Sequence, residues 1–184
     1  MIIAGHADAA YLNISKSHSH SGAQIMLSED VAIPLHNGPV LTITQIIKNI
    51  MSSASEAELA GLFTIAKEMG PMCQALNKMV CPQPKNTIQC DNSTAVGRTN
   101  KTIIPHNTKS MDMNFHCIRC REPQKQFRYF WAVGKLNIAE YRTNNHPPLY
   151  HILIDPHMPA NDSTCSLQGC AVTHVTSYTC NLPQ

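Results

Sequence analysis

A short apolar stretch that ends in an acid constrains the fold of this chain more than any other feature. Ile88 and Cys90 alternate with polar neighbours, Asp91 follows at once, and the polar run 92–94 (Asn-Ser-Thr) comes next. This order predicts a β-strand followed directly by the start of a helix. Ligands of α/β sheets bind at this carboxyl end of the strands, so Asp91 is a candidate functional acid. The competing interpretation is that Asp91 only caps the helix.

Three other acids have local settings that allow them to join Asp91. Asp8 lies in an early predicted strand, and Glu140 comes after a late one. Glu58 lies near the start of the first long helix, where Ser53–Glu56 and Ser55–Glu58 form overlapping capping boxes. We predict that the four carboxylates form one cage for divalent metal ions. For Glu58 the alternative is a first-turn partner of the helix dipole.

The hydrophobic periodicity along the chain predicts an α/β fold with a mixed sheet. Three strands come first, and βα units follow, so hairpins precede parallel connections. In order, the predicted elements are strands Ile2–Leu12, Gly22–Leu27 and Val40–Ile47, a helix that opens within residues 52–59 and ends before Pro71, a second helix Met72–Val80, a strand ending at Cys90, a helix Ser110–Glu122, a strand Phe127–Val133 and a final element Leu136–Asn144.

Composition and charge narrow the class of protein. The 184 residues are 43% hydrophobic, and no run approaches 18 apolar residues, so we expect no membrane span. Residues 98–142 carry nine Lys and Arg against three acids, which suits a polyanion or a solvated charged helix equally well. We predict one domain over residues 1–148 and a loosely ordered tail over residues 149–184, which contains seven Ser and Thr residues and no Lys or Arg.

The cysteines and histidines give weaker signals. Eight Cys without a compact framework or an export signal indicate reduced thiols and an intracellular, cytoplasmic or nuclear setting. Cys117 and Cys120 have the spacing of a metal-binding pair, but no second pair lies at zinc-finger spacing, so core or surface positions are favoured. The same applies to His116, for which we expect a packed helix position.

Several short blocks, in order, resemble the ribonuclease H domain at the end of copia-type retrotransposon Pol polyproteins. The resemblance covers roughly residues 4–149. The blocks are Gly5–Leu12, Leu41–Lys48, Ser52–Leu59, Pro82–Pro84, Ile88–Ala95, Lys109–His116, Gln126–Tyr129, Ala139–Tyr141 and His146–Pro147. The resemblance implies a five-stranded mixed sheet, with three antiparallel strands, two parallel strands and flanking helices.

The resemblance also implies an activity and a set of partners. It implies endonucleolytic cleavage of the RNA strand of RNA–DNA hybrids during reverse transcription, in association with a reverse transcriptase domain and without a small-molecule cofactor. The family's acidic quartet maps onto Asp8, Glu58, Asp91 and Glu140. Hard oxygen ligands and a phosphate substrate favour Mg²⁺ or Mn²⁺, and the family pattern implies two ions. Gln89 and Asn92 are candidate contacts to the 2′-hydroxyls of the RNA strand.

Three departures from the family pattern leave a second hypothesis open. Position 140 is usually Asp, and the extra methylene of Glu moves the carboxylate by ~1.5 Å, where a displacement of ~1 Å can cost ~100-fold in rate. Residues 143–146 (Thr-Asn-Asn-His) replace a Lys and paired His, and residues 17–21 carry His where related chains have Arg. The alternative to an active nuclease is therefore a catalytically impaired remnant that keeps the fold and binds nucleic acid weakly.

Overall fold

The structure, a computed structural model, describes residues 1–29, 38–100 and 112–144 together with residues 146 and 149. Its five strands are β1 (Ile2–Ile14), β2 (His18–Ser28), β3 (Pro39–Ile47), β4 (Asn86–Cys90) and β5 (Phe127–Trp131). The α-helices in these ranges are α1 (Ala54–Lys78), α2 (Ser93–Thr99) and α3 (Asp112–Arg121). Short 3₁₀ segments span Ser15–Ser17, Gly134–Leu136 and Ile138–Arg142. We call the last of these the Glu140 segment.

The strands form one mixed sheet in the order β3-β2-β1-β4-β5. β1 pairs antiparallel with β2, and β2 pairs antiparallel with β3, whereas β4 is parallel to both β1 and β5. The predicted α/β class and the mixed sheet, with an antiparallel trio and two parallel strands, are therefore confirmed. In the parallel register His6 pairs with Gln89. Continuing that register by two residues places Asp8 beside Asp91 at one edge of the sheet.

Helix α1 packs across the sheet through its apolar face. Its fully buried residues Leu62, Ile65 and Met69 join Ile3, Ile25 and Ile88 of the strands in the main hydrophobic cluster. Gly5 makes the close packing possible, because a Cβ there would lie 2.6 Å from Ile65 Cδ1 and 2.8 Å from Met69 Sδ. The first turns of α1 also contact β1, since a Cβ on Gly61 would lie 3.4 Å from the carbonyl oxygen of Asp8.

Two predicted helix boundaries are wrong. The helix predicted at Met72–Val80 is not separate, because α1 continues through Pro71 to Lys78. The apolar face continues past the proline, with Met72, Cys73 and Leu76 packed on the main cluster, and this tertiary packing outweighs the one backbone hydrogen bond that a proline removes. Helix α2 is missing from the predicted order of elements, although the polar run 92–94 predicts its start. The helix predicted at Ser110–Glu122 spans Asp112–Arg121, and residues 110 and 111 lie outside the described residues.

Candidate metal and nuclease site

Asp91 is positioned by the strand-to-helix junction after β4. Asn92, not Asp91, is the N-cap of α2, and its Oδ1 accepts a hydrogen bond from the Ala95 amide at 3.0 Å. The interpretation of Asp91 as a plain helix cap is therefore wrong. The Asp91 backbone oxygen accepts a 2.7 Å hydrogen bond from the indole Nε1 of Trp131, which ties the junction to the end of β5. Burial raises the pKa of the Asp91 carboxyl.

Asp8 lies in the interior strand β1 and is 5% exposed. Its Oδ2 accepts a hydrogen bond from the hydroxyl of Thr143, the residue that follows the Glu140 segment. The pKa of Asp8 rises to about 6, chiefly because burial penalises the charged form, and the charges of Asp91 and Glu140 add to the rise while the Thr143 hydrogen bond opposes it. The Asp8 carboxyl therefore lies close enough to Asp91 and Glu140 for their charges to raise its pKa.

Glu58 points inward from the first turns of α1, and its side chain is 6% exposed. Its Oε1 accepts a hydrogen bond from the Ala9 amide at 3.3 Å, so the helix is joined directly to β1. The predicted Ser55–Glu58 capping box is therefore wrong, because the Glu58 carboxylate turns to the neighbouring strand. Burial, followed by the charges of Asp8 and Asp91, raises the pKa of Glu58 to about 9.

The other predicted capping box is formed only in part. Ser53 is the N-cap of α1 and accepts a hydrogen bond from the Glu56 amide at 3.2 Å. The Glu56 carboxylate instead accepts hydrogen bonds from the Ser52 amide at 2.9 Å and from the Ser52 hydroxyl at 2.7 Å. Glu56 therefore stabilises the start of the helix, which leaves Glu58 as the acid of this turn that faces Asp8 and Asp91.

Cys90 belongs to the same cluster, and the sequence identified it only as an apolar strand residue. One ligand atom from each of Glu58, Cys90 and Asp91 lies within 4.8 Å of the others. The Cys90 thiol donates to Glu58 Oε2 at 3.6 Å and accepts from the Asn92 amide at 3.4 Å. Burial and the charge of Glu58 raise the pKa of Cys90, so the side chain is a neutral thiol. The alternation of apolar and polar residues along β4 is the sequence signal that could have placed Cys90 on the inward face of the strand.

Glu140 lies at the same edge, on a segment attached to β1. Asn137 Nδ2 donates to the Ala7 carbonyl oxygen at 2.8 Å, and the Ile138 amide donates to His6 Nδ1 at 3.3 Å. A Cβ on Gly134 would lie 3.1 Å from Asp91 Oδ2 and 3.9 Å from Glu140 Oε2, so these two oxygens are no more than about 7 Å apart. The structure therefore brings all four predicted acids to one edge of the sheet.

The donor set fits a hard divalent cation. Asp8, Glu58 and Asp91 all have raised pKa values, and the two most buried acids owe part of the rise to other carboxylates. A cation placed among them would relieve this repulsion, and carboxylate oxygens are the ligands that Mg²⁺ and Mn²⁺ prefer. Asp8, Glu58, Asp91 and Glu140 are the residues that could hold it.

The other polar candidates have different roles in the structure. Gln89 Nε2 donates to the Leu136 carbonyl oxygen at 3.2 Å and Asn92 caps α2, so both predicted 2′-hydroxyl contacts have partners within the chain. Cys117 is half-buried and Cys120 exposed, and within the described residues neither belongs to a group of three or more potential metal ligands. The prediction of a packed His116 is wrong, because that side chain is exposed. The potential ion ligands of the predicted tail lie outside the described residues; they are Cys165, Cys170, His174 and Cys180.

With this geometry established, solved structures provide the comparison. The chain is similar to the ribonuclease H1 LC11, which was isolated from compost by a metagenomic approach, with a TM-score of 0.55 and 13% identity over 78% of this chain and 93% of that one. The structure of LC11 ribonuclease H1 in complex with an RNA/DNA hybrid matches with a TM-score of 0.55 and 12% identity, over 77% of this chain and 94% of that one. The chain has the ribonuclease H fold.

At this level of identity the likeness establishes the fold alone. No protein-family model matches the sequence, and none of the curated proteins matches it significantly. Among the helices within the described ranges, none combines the length and the apolar character that a membrane crossing requires.

Proposed function

We propose that this protein is a metal-dependent endonuclease that cleaves the RNA strand of RNA–DNA hybrids. The observation that carries the proposal is the convergence of Asp8, Glu58 and Asp91 from three separate elements at one edge of a ribonuclease H fold. The similarity in fold to a ribonuclease H1 that has been crystallised with an RNA/DNA hybrid supports the choice of substrate.

The proposed roles follow from the position of each acid. Asp8 in β1 and Asp91, immediately after the adjacent parallel strand β4, would anchor two ions of Mg²⁺ or Mn²⁺. Glu58 would hold one of them, and Glu140 would help to hold the other. When bound, such a pair supplies an activated water and stabilises the departing 3′ oxygen. The Cys90 thiol orients Glu58 through its hydrogen bond. Trp131, 52% exposed and bonded to the Asp91 backbone, presents an aromatic surface at the rim of the site for the nucleic acid.

The biological context is proposed from the ordered sequence blocks. We assign residues 1–148 to the nuclease domain of a copia-type retrotransposon Pol polyprotein, or to a derivative of one, and residues 149–184 to a separate tail. A reverse transcriptase domain is the proposed partner. An intracellular setting, cytoplasmic or nuclear, is supported by the cysteines, since Cys73, Cys81, Cys90, Cys117 and Cys120 are all free thiols.

A labelled RNA–DNA hybrid tests the proposed activity. Purified protein incubated with the hybrid and Mg²⁺ or Mn²⁺ should cleave only the RNA strand, and single-stranded RNA of the same sequence should remain intact. Asp91→Asn should abolish cleavage, because it replaces one anchoring carboxylate with a neutral amide of nearly the same shape. Equal products from the wild type and from Asp91→Asn would mean that the nuclease activity comes from a contaminant.

A catalytically impaired remnant is the second candidate, and specific observations favour it. Glu140 replaces an Asp, and burial lowers the pKa of His20, so this residue is neutral at pH 7 in the region where related chains carry Arg. Both changes weaken the site relative to the family pattern. This candidate predicts salt-sensitive binding of the hybrid without cleavage. If Glu140→Asp then restores cleavage, the longer side chain is the cause of the impairment.

A further inference from the structure

Thr143 contacts both Asp8 and the Glu140 segment. Neither the sequence pattern nor the family resemblance assigns this residue a role. The residue is 5% exposed and immediately follows the Glu140 segment. Its hydroxyl donates to Asp8 Oδ2 and lies 3.2 Å from a second acceptor, the Glu140 carbonyl oxygen. Its own carbonyl oxygen accepts a 3.2 Å hydrogen bond from Asn13 Nδ2. Thr143 is therefore held in place from the side of β1.

The hydrogen bond to Oδ2 restricts the Asp8 carboxylate. A free Asp side chain rotates about two torsions, and its terminal torsion is broad. A charge-assisted hydrogen bond from a buried hydroxyl selects one orientation and leaves Oδ1 as the oxygen available to a cation. Hydrogen-bond donors that orient metal-ligating carboxylates in this way commonly contribute tenfold to a hundredfold to metal affinity.

The same residue also locates Glu140. Gly22 of β2 leaves the space for this, because a Cβ there would lie 2.8 Å from Thr143 Cγ2 and 3.1 Å from the Ala139 carbonyl oxygen. The Thr143 methyl group thus packs at a gap in β2 while its hydroxyl bonds to β1. One side chain consequently sets the spacing between Asp8 and the segment that carries Glu140.

We propose that Thr143 is a positioning residue for the metal site, which acts by orienting Asp8 through its hydroxyl group. This inference rests on the proposed function, since it assumes that Asp8 binds a metal ion. A purely structural role is the competing explanation, and it would lie in the packing of the methyl group against Gly22. The two explanations assign the effect to different atoms of one side chain, so substitutions can separate them.

Binding of Mn²⁺ to the full chain, measured by calorimetry without nucleic acid, is the test. Thr143→Val keeps the branched shape and removes the hydroxyl, and it should weaken Mn²⁺ binding at least about tenfold. Thr143→Ser keeps the hydroxyl and loses the methyl, and its affinity should stay within about threefold of the wild type. Thr99→Val is the matched control, because Thr99 is fully buried and its hydroxyl donates to the Val96 carbonyl oxygen of its own helix.

The outcomes distinguish this inference from the proposed function. If the wild type binds Mn²⁺ and Asp91→Asn does not, but Thr143→Val binds like the wild type, the positioning role is refuted and the nuclease proposal stands. Weakening by Thr143→Ser that equals the weakening by Thr143→Val also refutes it, since packing then explains the effect. If the wild type binds no Mn²⁺, both proposals fail. Should Thr143→Val not fold, Thr143→Ala compared with Thr143→Ser isolates the same hydroxyl group.

Discussion

Glu58 is the acid of the site whose ionisation is opposed most strongly by burial and, after burial, by the charges of Asp8 and Asp91. Its pKa in the folded protein is about 9, against 4.5 for a free side chain. Between these values the folded protein holds a proton that the unfolded chain has released, so the free energy of unfolding must fall as the pH rises. The slope is about 1.4 kcal/mol per pH unit. From pH 4.5 to pH 7 the metal-free protein should therefore lose about 3 kcal/mol of stability through this residue.

Glu58→Gln should remove that loss. The neutral amide oxygen can still accept the hydrogen bond from the Ala9 amide, whereas no proton is released on unfolding. The variant should match the wild type near pH 4.5 and exceed it by about 3 kcal/mol at pH 7. Urea unfolding in EDTA, followed at several pH values by the fluorescence of the single Trp131, measures the difference. Glu68→Gln is the matched control, since it makes the same change on the exposed side of α1.

Two results would refute this reasoning about Glu58. One is a pair of parallel stability profiles for the wild type and Glu58→Gln between pH 4.5 and pH 7. The other is a variant that is less stable than the wild type at pH 7, which would mean that the ionised carboxylate is stabilising where it lies. A gain in Glu68→Gln as large as that in Glu58→Gln would assign the effect to the net charge of the protein.

Four further predictions test the packing and the site. Gly5→Ala should destabilise the protein by about 1–3 kcal/mol in urea unfolding, because the added Cβ would clash with α1. Gly61→Ala should be tolerated, since the contacts of a Cβ there begin at 3.4 Å. Pro71→Ala should raise the melting temperature, because it restores a backbone hydrogen bond inside a continuous helix; a lower melting temperature would contradict that account. Asn137→Ala should cost about 2 kcal/mol or more, since the buried Ala7 carbonyl loses its donor; an unchanged unfolding curve would show that the bond contributes nothing. Mg²⁺ should raise the melting temperature of the wild type at pH 7 and leave that of Asp91→Asn unchanged, by preferential binding to the folded state; equal shifts would exclude Asp91 as a ligand.

The order of the strands could be predicted because strand patterning is a local property of the chain. The short apolar runs of the sequence predict strands where β1, β2 and β3 occur, and each observed strand contains or nearly matches its predicted range. The residue at which a helix ends depends less on local sequence. At Pro71 the local rule predicted a break, but the apolar face of α1 continues beyond it and is stabilised by contacts with the main cluster. No property of residues 70–72 alone carries that information.

In the candidate site, too, some features can be predicted from local sequence and others depend on the fold. Which acids are available and which elements they occupy can be predicted from local sequence, because capping residues and strand alternation are short-range properties of the chain. The packing of the folded chain is needed to show that Asp8 and Asp91 are neighbours and that Glu58 turns to the Ala9 amide. It also shows that Cys90 and Thr143 join them. These contacts link residues up to 135 positions apart, and they depend on strand register and on how closely α1 packs.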